Sequence, residues 1–125
     1  MENLPLGRGG GNDRRRCLDS VLAHLRRILN TRQGNVPIAA DYGVPDFLDF
    51  LQSYPESVRE IEQSIRNAVD KYEPRLSRAT VTYLPDEGDA LILRFQIAAC
   101  LTGEGGREVL FESIIASDGR VRLHR

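Results

Sequence analysis

The sequence predicts an α+β domain in which N-terminal helices pack on a C-terminal antiparallel β-meander, giving two layers. Up to Pro74, the apolar residues recur at the period of an α-helix. After Pro74 they alternate with a period of two, and turn residues separate the alternating runs. With 125 residues, of which 41% are hydrophobic, the chain has the size and composition of one globular domain with one core.

The N-terminal residues predict a flexible arm, because Gly7 and the glycine triplet at 9–11 disfavour regular structure. We therefore expect an arm over residues 1–12 and a single domain over residues 13–125. Asp13 suits a helix N-cap, and the helix that follows is predicted to end near Arg32, before Gly34. Its apolar stripe consists of Leu18, Val21, Leu22, Leu25, Ile28 and Leu29.

Two further helices are predicted before the sheet. Residues 34–45 form a loop rich in turn residues, and a short helix is expected over 46–52. A second long helix then begins near Ser53 and Pro55, and Pro74 ends it because proline lacks an N–H group. The apolar stripe of this helix consists of Val58, Ile61, Ile65, Ala68, Val69 and Tyr72.

Four strands are predicted after Pro74, beginning with residues 80–84. Turn sequences at 85–89, 103–106 and 117–119 separate them. One face of these strands is apolar: Val81, Tyr83, Leu91, Leu93, Phe95, Ile97, Ala99, Val109, Phe111, Ile115, Val121 and Leu123. This alternation is typical of a sheet that packs one face on helices.

Composition excludes several classes of function. The net charge of -1 creates no field for nucleic acid or an anionic membrane, and the longest apolar run, 97–101, is far too short to span a bilayer. No secretory signal pattern begins the sequence. Cys17 and Cys100 lie in apolar patterns without a CxxC motif, so we expect reduced, buried thiols in a cytoplasmic protein.

The sequence predicts no metal or cofactor site, and no local motif indicates a Ser–His or Cys–His nucleophilic pair, although such a pair could form in the folded chain. His24 and His124 are the only imidazoles, and neither has a cysteine or carboxylate at metal-ligand spacing. The glycine clusters at 7–11 and 103–106 lack the strand before and the helix after that a phosphate loop needs.

Glycoside hydrolysis is also disfavoured, because it needs one carboxyl group that stays protonated in an apolar pocket. Glu56, Glu60 and Glu62 share a helix with Arg59 and Arg66, which favour the ionised form. Glu112 alternates away from the apolar face of its strand. We therefore predict no catalysis.

The most informative segment is 72–76, where the second long helix meets the sheet. Glu73 lies at the negative end of the helix dipole, where a carboxylate needs a compensating cation, and Arg75 is nearby. The pair either fixes the corner between helix and strand, or Glu73 anchors Arg75 so that its guanidinium grips a partner. The two interpretations are compatible.

Here the sequence resembles a known family. The triplet Glu73-Pro74-Arg75 after an amphipathic helix, followed by a meander, is similar to the phage baseplate-wedge proteins often labelled "lysozyme-like". More narrowly, it resembles the TssE wedge proteins of bacterial type VI secretion baseplates. The second point of similarity is the loop, with Asn-Thr-Arg at 30–32 and Asp-Tyr-Gly-Val-Pro-Asp-Phe at 41–47.

The resemblance implies a structural role without catalysis or cofactors, in the cytoplasm at the inner face of the cell envelope. It implies binding to the other wedge subunits, TssF and TssG, and a platform on which the contractile sheath begins to assemble. It also implies that Glu73, Pro74 and Arg75 contact baseplate or sheath partners, with no role for nucleic acid or membrane insertion.

A meander leaves at least one strand edge with unpaired backbone groups, and we hypothesise that sheath subunits extend the sheet there. The alternative function is a small regulatory binding protein on the same fold, such as an anti-adaptor that blocks delivery of a substrate to a protease.

Overall fold

A computed structural model describes residues 6–85, 88, 92–103 and 105–125, with side chains from Asp13 onward. It contains three helices, α1 (Leu6–Leu29), α2 (Phe47–Gln52) and α3 (Val58–Tyr72). Four strands follow: β1 (Leu76–Leu84), β2 (Leu93–Leu101), β3 (Arg107–Ile115) and β4 (Val121–His124). The predicted order of helices followed by an antiparallel meander is confirmed.

The sheet has the order β1-β2-β3-β4, with every neighbouring pair antiparallel. In β2, buried and half-buried residues alternate strictly, so one face of the sheet lies on the core. Helix α3 packs against β1 and α1 packs against β4, so the two long helices form the second layer. The fully buried residues at the centre include Leu25, Ile61, Ile65, Phe95, Ile97 and Phe111.

Helix α1 begins at Leu6, before the predicted start at Asp13. The expectation of an arm was based on the glycines at 9–11, which are poor helix formers. However, the sequence contains no proline between Leu6 and Leu29, so the helical hydrogen bonds can continue through them. Residues 1–5 of the predicted arm lie outside the described residues.

The boundary between the second and third helices also differs from the prediction. Ser53 closes α2, donating its N–H to Phe50, and Ser57 precedes α3. The Ser57 hydroxyl donates to the carbonyl oxygen of Phe50, and its side chain is buried. The start predicted at Ser53 and Pro55 was therefore wrong, because the turn between the helices uses Ser57 instead.

The first strand is longer than predicted at its start. Strand β1 begins at Leu76, and its pairing with β2 is interrupted between Ser77 and Thr80, where Arg78 has a φ of 55°. Such a bulge hides the alternation that the prediction used. Leu91 and most of the 85–89 turn lie outside the described residues. Cys17 and Cys100 are free thiols, but each is only partly buried.

Within the described part of the chain, no helix is long and apolar enough to cross a membrane.

Candidate functional site

The chain turns sharply from α3 into β1 at the segment that the sequence singled out. Glu73 is the residue after α3, and its N–H donates to Val69 at 3.0 Å, completing the last turn. Its carbonyl accepts from Leu76 at 3.2 Å, and the Arg75 carbonyl accepts from Thr102 at 2.9 Å. These bonds fix the backbone of the turn, so its side chains have defined directions.

The Glu73 side chain is completely buried, and four donors surround its carboxylate. Oε1 accepts from His24 Nδ1 at 2.9 Å and from Arg75 Nη2 at 2.8 Å. Oε2 accepts from the Arg75 backbone N–H at 3.1 Å and from Arg75 Nε at 2.9 Å. A buried charge is tolerated when it is paired and fully hydrogen-bonded, as this one is.

Arg75 uses its guanidinium group inside the chain. Two of its nitrogens bind Glu73 side by side, and Nη1 donates to Ser20 Oγ on α1 at 2.8 Å. Its side chain nevertheless remains 38% exposed. Ser20, His24, Glu73 and Arg75, which we call the corner cluster, thus connect α1 to the junction of α3 and β1.

The corner cluster holds Glu73 ionised. Burial raises the pKa of the carboxyl, but hydrogen bonds from the Arg75 side chain, His24 and the Arg75 backbone outweigh it, so the pKa lies below its ordinary value. The hydrogen bond of its own side chain to Glu73 raises the pKa of Arg75. A carboxylate held in this form serves as an acceptor and not as a general acid.

Glu73 and Arg75 were predicted from the sequence, whereas Ser20 and His24 were not. Ser20 and His24 are four residues apart, so they lie one above the other on α1, beside its apolar stripe. A polar pair at this spacing next to a core-facing stripe is the signal that could have shown that α1 contributes to a polar contact. The partner of His24 could not be predicted from the sequence, because 49 residues separate His24 from Glu73.

The described residues contain no group of three or more potential ligands that could hold a metal ion. Of the glutamates considered for hydrolysis, Glu62 accepts a hydrogen bond from the backbone N–H of Tyr83 at 2.7 Å. Glu112 lies on the exposed face of the sheet, where it contacts Arg94 and His124. Both carboxylates therefore contact and position other groups of the same chain.

The loop that carries the second resemblance is braced against both long helices. Val44 donates to Thr31 at 2.9 Å and its carbonyl accepts from Gln33 at 2.9 Å. Asp41 accepts from the Tyr72 hydroxyl and pairs with Lys71. The loop is therefore a fixed part of the surface beside α3.

The edge of the sheet at β4 is closed by side chains of α1 and of the residue that follows it. Asn30 pairs with Val121 as a strand residue would: Nδ2 donates to its carbonyl and Oδ1 accepts from its N–H, both at 2.9 Å. Arg26 donates to the Leu123 carbonyl through Nε at 3.1 Å and Nη2 at 2.9 Å. We call Arg26 and Asn30 the β4 clamp.

The edge at β1 is more open. Backbone groups of alternate residues point to opposite sides of a strand, so the Tyr83 N–H and both groups of Val81 face away from β2. Glu62 accepts from Tyr83, but among the described residues no side chain caps Val81. A cleft of about 280 Å³, the β1 groove, runs beside this edge and is lined by Arg59, Glu62, Gln63, Arg66, Thr80 and Val81.

Comparison with known proteins agrees with this architecture. A chain in the solved structure "The baseplate complex from the type VI secretion system" superimposes with a TM-score of 0.63 at 23% sequence identity. The match covers 91% of this chain and 98% of that chain, so the two share a fold. No curated protein matches. Residues 15–105 match the family described as "Baseplate wedge protein gp25", so the chain belongs to the baseplate wedge family.

Proposed function

We propose that this chain is a structural, non-enzymatic wedge subunit of a type VI secretion baseplate. In this role it lies in the cytoplasm at the inner face of the cell envelope and binds the wedge subunits TssF and TssG. It also provides the platform on which the contractile sheath starts to assemble. Its membership of the wedge family and its shared fold with a chain of a type VI baseplate complex support this role.

The observation that carries the platform role is the difference between the two edges of the sheet. The β4 clamp occupies Val121 and Leu123, whereas the outward groups of Val81 are open beside the β1 groove. An extended segment of a sheath subunit can therefore pair with β1, where main-chain hydrogen bonds supply affinity. The sheet is extended on the β1 side.

Replacing Val81 by proline tests this site of extension. The Val81 N–H points away from β2, so proline removes a donor from the edge without removing a bond of the β1–β2 ladder. We expect Val81→Pro to fold and to bind purified sheath subunits at least about 10-fold more weakly, through loss of edge pairing. Circular dichroism checks the fold, and sedimentation with sheath subunits measures the binding.

Val81→Ala is the matched control, because it also loses the side chain but keeps the N–H. Sheath binding by a folded Val81→Pro chain at the wild-type level would contradict extension at β1. Affinity purification from a lysate tests the wider role: we expect wedge and sheath subunits. Recovery of a single response-regulator-like protein instead would support the anti-adaptor alternative.

We further propose that the corner contacts the other wedge subunits. Pro74 is exposed and Arg75 is partly exposed, so these two side chains can touch a partner. Glu73 is buried, so it contributes by holding the guanidinium of Arg75 in one orientation. A rigid arginine loses little entropy on binding and is a common anchor at interfaces.

Replacing Arg75 by alanine is expected to reduce the recovery of TssF and TssG by about 10-fold, because it removes such an anchor. It also leaves Glu73 without its main partner, so the unfolding free energy of each sample must be measured alongside. Arg107→Ala, at an exposed arginine on β3, is the control for the loss of one charge. If Arg75→Ala folds and still binds like the wild type, the corner cluster has only its bracing role.

A further inference from the structure

Glu62 occupies the place that a partner strand would take on β1. Its Oε2 accepts from the outward N–H of Tyr83 at 2.7 Å, as the carbonyl of a fifth strand would do. We propose that Glu62 is an exchangeable guard of this edge: it caps Tyr83 in the unbound subunit and is displaced when a partner strand binds. This inference rests on the proposed extension of the sheet at β1.

The position of Glu62 on α3 makes it suited to this exchange. It lies on the face of α3 that borders the β1 groove, and its side chain reaches across to a strand 21 residues further along the chain. It makes one hydrogen bond to one backbone group. An incoming strand whose carbonyl accepts from the Tyr83 N–H therefore replaces a single contact of Glu62.

The displaced carboxylate has two cations within reach. Arg59 is three residues before Glu62 and Arg66 is four residues after it, so both are its neighbours on the helix surface. Both arginines line the β1 groove. Arg66 lies 3.6 Å from the Asp70 carboxylate, a long contact between exposed groups. Glu62 can thus leave Tyr83 and remain paired, which reduces the cost of opening the edge.

The β4 clamp shows what a permanent closure looks like in this fold. Asn30 satisfies both the donor and the acceptor of Val121, and Arg26 donates to Leu123 through two nitrogens. Displacing the clamp would require several contacts to break together. The single bond of Glu62 at the opposite edge is therefore an exchangeable closure that keeps β1 from pairing with the wrong chain.

Glu62→Ala tests the guard, and Glu60→Ala is its control, since Glu60 is an exposed glutamate on the same helix. We expect Glu62→Ala to speed amide hydrogen exchange at Tyr83 by about 10-fold in the isolated chain, because the N–H loses its acceptor. Purified sheath subunits should bind this variant about 3- to 10-fold more tightly, because no contact has to be displaced. Glu60→Ala should match the wild type in both measurements.

Glu62→Gln keeps an acceptor oxygen, but a neutral amide accepts more weakly than a carboxylate, so its Tyr83 exchange rate should lie between those of the wild type and Glu62→Ala. Equal exchange at Tyr83 in Glu62→Ala and Glu60→Ala would overturn the guard, and so would weaker sheath binding by Glu62→Ala. Failure of the proposed function gives a different result: neither the wild type nor any variant binds sheath subunits, while the exchange at Tyr83 still responds to Glu62.

Discussion

Glu73→Gln is expected to lower the unfolding free energy by about 2–3 kcal/mol at neutral pH. Removing the charge leaves Arg75 and His24 facing a neutral amide in a buried position, and breaking a buried ion pair from one side is strongly destabilising. The expected loss is below that for a fully buried pair, because the Arg75 side chain is 38% exposed and gains hydration. Urea unfolding followed by circular dichroism measures it.

The same variant gives a pH signature. The pKa of Glu73 is lowered by folding, so its stabilisation is fully present above the ordinary value of 4.5 and is lost as the pH falls through the folded value. The gap in stability between the wild type and Glu73→Gln should therefore narrow as the pH falls below 4.5.

Glu60→Gln is the control for this experiment, because it removes the same charge from an exposed position on α3. Its stability should follow the wild type at every pH. A gap between the wild type and Glu73→Gln that stays constant into strong acid would mean that the ionised form of Glu73 does not hold the corner together.

Gly43→Ala is expected to cost about 3 kcal/mol, and to lower the melting temperature by roughly 10 °C, since it combines backbone strain with a broken contact. Gly43 has a φ of +103°, and a Cβ there would lie 2.1 Å from the carbonyl oxygen of Thr31. That oxygen accepts the N–H of Val44 at 2.9 Å, so the clash forces apart the two sides of the loop base. Differential scanning calorimetry measures the change.

Gly34→Ala separates the effect of backbone strain from the effect of the clash with Thr31. Gly34 has a similar φ of +92°, but an added Cβ would meet nothing within 4 Å. It should therefore cost only the strain of the left-handed conformation, about 1–2 kcal/mol. Equal losses for the two variants would show that the contact between Gly43 and Thr31 contributes nothing to stability.

The fold could be predicted from the sequence because its main features are local and periodic. The stripe from Leu18 to Leu29 and the alternation from Leu93 to Ala99 each indicate one buried face. The glycines at 9–11 misled the prediction of the helix start, since intrinsic propensity is a weak guide where nothing interrupts the helical hydrogen bonds. The bulge at Arg78 likewise hid the first part of β1.

Only the part of the corner cluster that is local in the sequence could be predicted. Glu73 and Arg75 are two residues apart, and dipole arguments apply to them directly. His24, Ser20 and Asn30 meet their partners only after folding, because 49, 55 and 91 residues separate them from Glu73, Arg75 and Val121. Their roles depend on which helix lies beside which strand, and the periodicity of either element does not contain that information.

The β4 clamp also determines at which edge the sheet can pair with a further strand. With Val121 occupied by Asn30 and the Leu123 carbonyl occupied by Arg26, β4 cannot pair with a further strand unless the clamp opens. The clamp therefore disfavours edge-to-edge ribbons of copies through β4, since a growing ribbon needs two edges on every member that can pair. Under the proposed extension of the sheet at β1, a row of subunits starts from that edge and grows in one direction away from it.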